Sequence, residues 1–292
     1  MSNELQDDYK SNISNEDMVQ LAKQQYEQKK VSDYKFPTEI ITLPSNGLLY
    51  PKENPLSSGK IEMKYMTAKE EDILTTQSYI KDGTVLDRLL KSLLVGNGDG
   101  LSVKYDDLVV GDKNAIMIAA RILGYGKSYS VDINDPFSGE TQHEEIDLTE
   151  FENKPYDGSN QVELNKNEFE FELPHSKRTI VFQLLTESKE KYIQRQLKNL
   201  KKANRKLGDK TSKELTTRLK TMIISVDAET DKKYINDFVD NELFAADSRA
   251  VRTHIKTVSP DIDLTFEFVS DETDERREMS MPMDVTFFWP ES

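Results

Sequence analysis

DKNAIMIAARILGYGKSYSVDIN, residues 112–134, changes its period partway along. From Asp112 to Leu123 apolar residues fall on nearly every side, the pattern of a buried helix. Gly124 and Gly126 end it, one of them suited to the left-handed closing position. Beyond them Tyr129, Val131 and Ile133 alternate with polar residues, which is the period of a half-buried strand. The same change recurs at Pro260. These switches predict an α+β fold, a helical bundle region with several antiparallel β hairpins.

On the N-terminal side, VLDRLLKSLL (85–94) places Leu86, Leu89, Leu90, Leu93 and Leu94 on one helical face. Thr67 followed by Glu70 fits a capping box, predicting a helix that stops before Asp82-Gly83. KIEMKYM (60–66) alternates Ile61, Met63 and Tyr65 as a strand would. FPTEIITLPSNGLLYP (36–51) mixes apolar clusters with turn residues, and Asn46-Gly47 tolerate positive φ. Residues 1–36 are a polar arm. Met18, Leu21, Ala22 and Tyr26 form a thin helical stripe there, and both disorder and a partner-docking helix fit it.

On the C-terminal side, DPFSGE turns the chain into HEEIDLTEF, giving a hairpin over 129–148. Phe169, Phe171 and Leu173, then PHSKR and TIVFQLL, predict a second over 165–185. Residues 186–221 hold twelve Lys or Arg against four Asp or Glu, a local charge of +8. The whole chain carries −14, which leaves −22 for the remainder. Tyr192, Gln196 and Leu200 are helically spaced, Leu207-Gly208-Asp209 interrupts, and Glu214 to Ile224 resumes: a helical hairpin with a basic outer face. A helix follows over 231–244, then AVRTHI, capped by Asp247-Ser248 and closed by Pro260. Alternation of Ile262, Leu264, Phe266 and Phe268, answered by Met279, Met281 and Met283, predicts the last hairpin over 262–283. The segments are thus the arm (1–36), a helical core with flanking β segments (37–150), a β hairpin region (151–185), the basic helical hairpin (186–224), and helices plus a C-terminal hairpin (225–292).

The 292 residues include no cysteine, so disulfides, thiol catalysis and thiolate metal sites are excluded. His143, His175 and His254 are far apart in sequence. No apolar run approaches the roughly 20 residues of a membrane span, and the N-terminus lacks an export-signal pattern. The acidic balance disfavours nonspecific binding to nucleic acid or anionic membranes by the whole surface.

Reactive constellations are weak. Gly96, Gly98 and Gly100 lack the GK[ST] of a phosphate loop. Asp132, Asn134 and Asp135 sit close together, but Pro136 and a missing glutamate spoil a calcium loop. His143-Glu144-Glu145 lacks metal-ligand spacing, and on a strand His143 and Glu144 face opposite ways. No catalytic, metal or cofactor residue is therefore expected.

Partner-binding candidates are of two kinds. Lys198, Lys201, Lys202 and Arg205 present charge. With Tyr192 the only aromatic in that stretch, no stacking platform for single strands exists. Leu43, Leu48, Leu49 and Tyr50 around one turn, and Phe287, Phe288 and Trp289 near the end, are apolar clusters that must be buried. Their cover is either the chain's own core or a partner.

Several blocks, in order, resemble the T4-type phage baseplate family associated with hub assembly. They are LPSNGLLYP with GKIEMKYMTAKEEDIL, VLDRLLKSLL, DLVVGDKNAIMIAARILGYG, DSRAVRTHIKTVSPDIDLTFEF and the terminal FFWP, covering roughly 38–150 and 234–290. The resemblance implies a non-enzymatic protein that contacts other baseplate or tail proteins. It would act in the host cytoplasm during assembly, or stay in the virion tail baseplate. A tail-associated cell-wall hydrolase and a nucleic-acid-binding module on the basic stretch are the alternatives. Many relatives carry CPxCG-like knuckles in two β hairpins. Here those turns read DPFSGE and SDETDERRE, so the resemblance brings no zinc site.

Overall fold

The computed structural model describes residues 36–207, 212–283 and 285–289. The arm stripe at Met18, Leu21, Ala22 and Tyr26 lies outside the described residues. Strands β1 (Thr38–Thr42), β2 (Lys60–Lys64) and β3 (Leu94–Gly96) form an antiparallel sheet in that order. Three helices fill the interval between β2 and β3: α1 (Ala68–Thr75), α2 (Gln77–Lys81) and α3 (Val85–Leu93). Helix α4 (Val110–Tyr125) follows, then the hairpin of β4 (Ser128–Asn134) and β5 (Thr141–Asp147).

The same plan then repeats. Strands β6 (Phe169–Glu172), β7 (Thr179–Phe182) and β8 (Ile223–Val226) form a second antiparallel sheet in that order. Helices α5 (Glu187–Leu207) and α6 (Glu214–Met222) lie between β7 and β8. Next come α7 (Lys232–Asp237) with a π turn over Phe238–Glu242, α8 (Ala245–Val258), and the hairpin of β9 (Thr265–Val269) and β10 (Arg276–Ser280).

The correspondence extends to single bonds. Met63 faces Leu94 and Phe182 faces Ile223, and the ladder slips one residue earlier in both sheets. Ile61, Met63, Ile180 and Phe182 are all fully buried. Each first strand leads into Leu-Pro. Leu43 and Leu173 are buried and donate their N–H to Gly59 and Arg178, both at 2.8 Å. The next backbone N–H, on the residue after the proline, also finds an acceptor in each repeat. The third residue of α4 supplies one to Ser45 (Asp112 Oδ1, 2.9 Å), and the third residue of α8 supplies one to His175 (Asp247 Oδ1, 2.8 Å). Negative charge is favourable in the first turn of a helix.

The two hairpin turns close alike. Asp135 N–H donates to Glu140 and Ser270 N–H to Glu275, at 2.8 and 2.9 Å. They also meet: the Ser270 hydroxyl donates to Asp135 Oδ2 at 2.6 Å, beside the Ser138 hydroxyl at 2.8 Å. From Thr38 onward the chain is one compact unit around a single apolar core drawn from both repeats.

Four expectations change. The helix after Thr67 breaks at Thr76, whose ψ of 106° is extended. Helix α4 starts at Val110, ahead of Asp112. Ile223 and Ile224 leave the helix for β8, because pairing with β7 buries Ile223 completely. Asp247 is not a terminal cap; it sits inside α8 and serves the turn at His175 and Ser176.

Candidate interaction surface

The basic stretch forms the predicted pair of helices. Helix α5 is built from straight-chain residues that favour helix, with acids in its first turn and cations farther along. Its anchor is Ile193, fully buried. At 21 residues α5 is about 31 Å long, whereas the nine residues of α6 reach about 14 Å. Arg218 ties α6 to the root of α5 through Glu190 at 2.5 Å, so the outer half of α5 runs past the start of α6.

Charge at the root is engaged. Lys191 bridges Asp106 at 2.6 Å and Asp87 at 3.1 Å. Lys113 reaches Glu187 at 3.0 Å and Asp87 at 3.4 Å, and Tyr105 donates to Asp87 at 3.0 Å. Burial pushes the Glu187 carboxyl up. Burial acts the same way on Asp87, but Lys113 and Lys191 outweigh it and hold that group low. This network fastens the second repeat's hairpin to α3 and α4 of the first.

Farther out the picture reverses. Lys198, Lys201 and Lys202 are exposed and join no ion pair among the described residues. Arg205 continues the helix, and its side chain lies outside the described residues. From 198 to 213 the sequence holds seven Lys or Arg and one Asp. The first repeat has no counterpart to this tip. Ala68 and Val85, which open α1 and α3, are 17 positions apart; Glu187 and Glu214, which open α5 and α6, are 27 apart. The shared plan therefore closes without about ten of these residues.

The apolar candidates are largely internal. Leu43, Leu49 and Tyr50 are buried. The Tyr50 hydroxyl donates to Asp112 Oδ2 at 2.5 Å and accepts from Val109 N–H at 3.1 Å. Gly47 at φ +79° makes that turn, and a Cβ there would stand 2.3 Å from the Ser57 carbonyl oxygen. Leu48 is half-buried. Phe287 and Phe288 are fully buried, edge-on to each other at 5.2 Å, with Tyr129 edge-on to Phe287 at 5.0 Å. In the chain as folded these two offer no surface to a partner. Trp289 is half-buried against the core.

The reactive-looking clusters have structural duties. Asn97 folds the glycine loop by accepting from Asp99 and Leu101 N–H at 2.9 and 3.1 Å. His143 pairs with Asp132 across the exposed face of β4 and β5 at 2.9 Å. Among the described residues no three His, Asp or Glu converge as a metal site. The meeting turns do not fit a thiolate knuckle: Asp135, Ser138 and Ser270 satisfy one another as oxygen donors and acceptors. Among the described helices, none is long and apolar enough to cross a membrane.

The repeat escapes the sequence reading, although LPS and LPH, and D-x-x-A-I and D-x-x-A-V, mark it at Leu43, Leu173, Asp112 and Asp247. Compared with protein families, curated proteins and solved structures, the chain matches none.

Proposed function

We propose that this chain is a non-enzymatic interaction protein of a contractile phage tail, a baseplate hub component or hub-assembly factor, engaging an acidic partner protein through the basic tip. The interaction role is supported by one observation: a cationic extension absent from the sister repeat, on a strongly acidic chain. Electrostatic docking of this kind sets association rate and partner choice. The tail context comes from the ordered sequence blocks over 38–150 and 234–290.

Reversing Lys198, Lys201, Lys202 and Arg205 to Glu in a phage dependent on this gene tests the reading. Surface changes of this kind shift stability by about 0.5 kcal/mol or less each, so the melt should hold. Baseplates counted by electron microscopy should fall sharply. A complete yield of normal baseplates would remove the tip from assembly. Salt-dependent DNA binding lost in the same variant would favour the nucleic-acid alternative instead.

A further inference from the structure

Between the start of α4, helix α6 and the C-terminal half of α8 runs an open groove of about 340 Å³. Leu184, Leu185, Leu219 and Met222 form its apolar floor. Val110 and Leu215 stand at its lips, 39 % and 40 % exposed. Two cations on its wall, Arg252 and Lys256, join no ion pair among the described residues, while Glu190 is neutralised by Arg218. The corresponding place in the first repeat is closed. There Met117 and Arg121 occupy the positions of Arg252 and Lys256 and are buried, and Gly124 lies directly against the Met66 side chain. An open groove is thus not a property of the shared plan.

We propose that this groove receives an acidic amphipathic helix of a partner protein. Its apolar side would lie on the floor and its carboxylates beside Arg252 and Lys256. Two observations choose that occupant. The local charge is opposite to that of the chain as a whole, so it selects for acid. The groove also lies between two helices, a geometry that takes a third helix by its apolar stripe. The proposal rests on reading the chain as an interaction protein. Helix α6 begins beside Lys213, so the groove continues the basic tip inward.

The test uses the full chain and a fluorescein-labelled synthetic helix of about 18 residues, with leucines at i, i+3, i+4 and i+7 and glutamates elsewhere. A twin carries lysines in place of the glutamates. Anisotropy should show binding of the glutamate helix and not of the twin. R252E/K256E and L215D should each weaken it about tenfold or more, whereas K198E/K201E/K202E should change it by about twofold or less at physiological salt. Equal binding of both helices, no binding, or equal loss in the tip variant would overturn the proposal. So would preference for sodium oleate over the helix, or a concentration-dependent dimer abolished by L215D. Normal baseplates from the tip-reversed variant, with helix binding intact, would remove the tip and leave the groove. The opposite pattern would remove the groove alone.

Discussion

Asp112 and Asp247 hold the same place in the two repeats yet carry their charge differently. Burial works against both. At Asp247 the N–H groups of His175 and Ser176 outweigh it and hold the carboxyl below its ordinary value. At Asp112 two hydroxyls and one N–H do not, Asp261 adds repulsion, and the carboxyl is pushed up to about 6. A raised carboxyl contributes stability fully below its unfolded value and loses it as pH climbs through the folded one. From pH 4 to 7.5 the Asp112 term should therefore fall by up to about 3 kcal/mol. Asp112→Asn cannot titrate. Urea melts at both pH values should show the variant gaining on the wild type as pH rises, and a constant difference would show that Asp112 stays ionised. From sequence Asp247 reads only as a cap, because which backbone N–H a side chain meets depends on a turn 72 positions away.

Elements were legible where their period was sustained. Helices α3 and α4 and the β4–β5 hairpin stand close to their expected bounds. Strands β1, β3 and β8 were not, since three to five residues carry too little pattern and gain their identity from the neighbour they pair with. Close approach of elements was equally hidden. Gly111, in the first turn of α4, meets the segment after α8, and a Cβ on it would lie 1.8 Å from the Pro260 carbonyl oxygen. Gly111→Ala should lower stability by about 2 kcal/mol or more. Ala246→Gly at the corresponding site should cost only about 0.5–1 kcal/mol. Similar losses in both would show that the segment yields freely. The terminal aromatics were legible as buried, though not as to their cover. Phe288→Ala should cost about 3–5 kcal/mol in the isolated chain, and a smaller change in its thermal melt would mean that the cover is elsewhere.

At the scale of the whole molecule, the duplicated plan leaves only short marks in the sequence because the two halves share character rather than identity, and because their loops differ in length. Leu43 to Gly59 takes 17 residues where Leu173 to Arg178 takes six. Burial demands only that Met63 and Phe182, or Ile116 and Val251, be apolar and fit. The plan also says what can be removed. Excising residues 201–210 should leave a cooperative melt within a few degrees of the wild type, since the first repeat closes the same plan with a shorter helical span, and on the proposed role baseplate assembly would be lost. A melt that collapses would make the tip part of the fold. The turns that meet at Asp135 and Ser270 join the two hairpins through a carboxylate and a hydroxyl. No thiol takes part in that joint, so no oxidant can lock or break it; beside the Gln142 amide, which reaches Val269 and Asp271, its one member sensitive to acid is Asp135. Burial opposes the Asp135 charge, yet Ser270, Ser138 and the Phe137 N–H hold the carboxyl low. The joint therefore keeps its strength above the ordinary carboxylate range and weakens as pH drops through the lowered value. Hydrogen exchange at Phe137, whose N–H donates to Asp135, should quicken there first, while the Gln142 amide still ties the two hairpins through Val269 and Asp271.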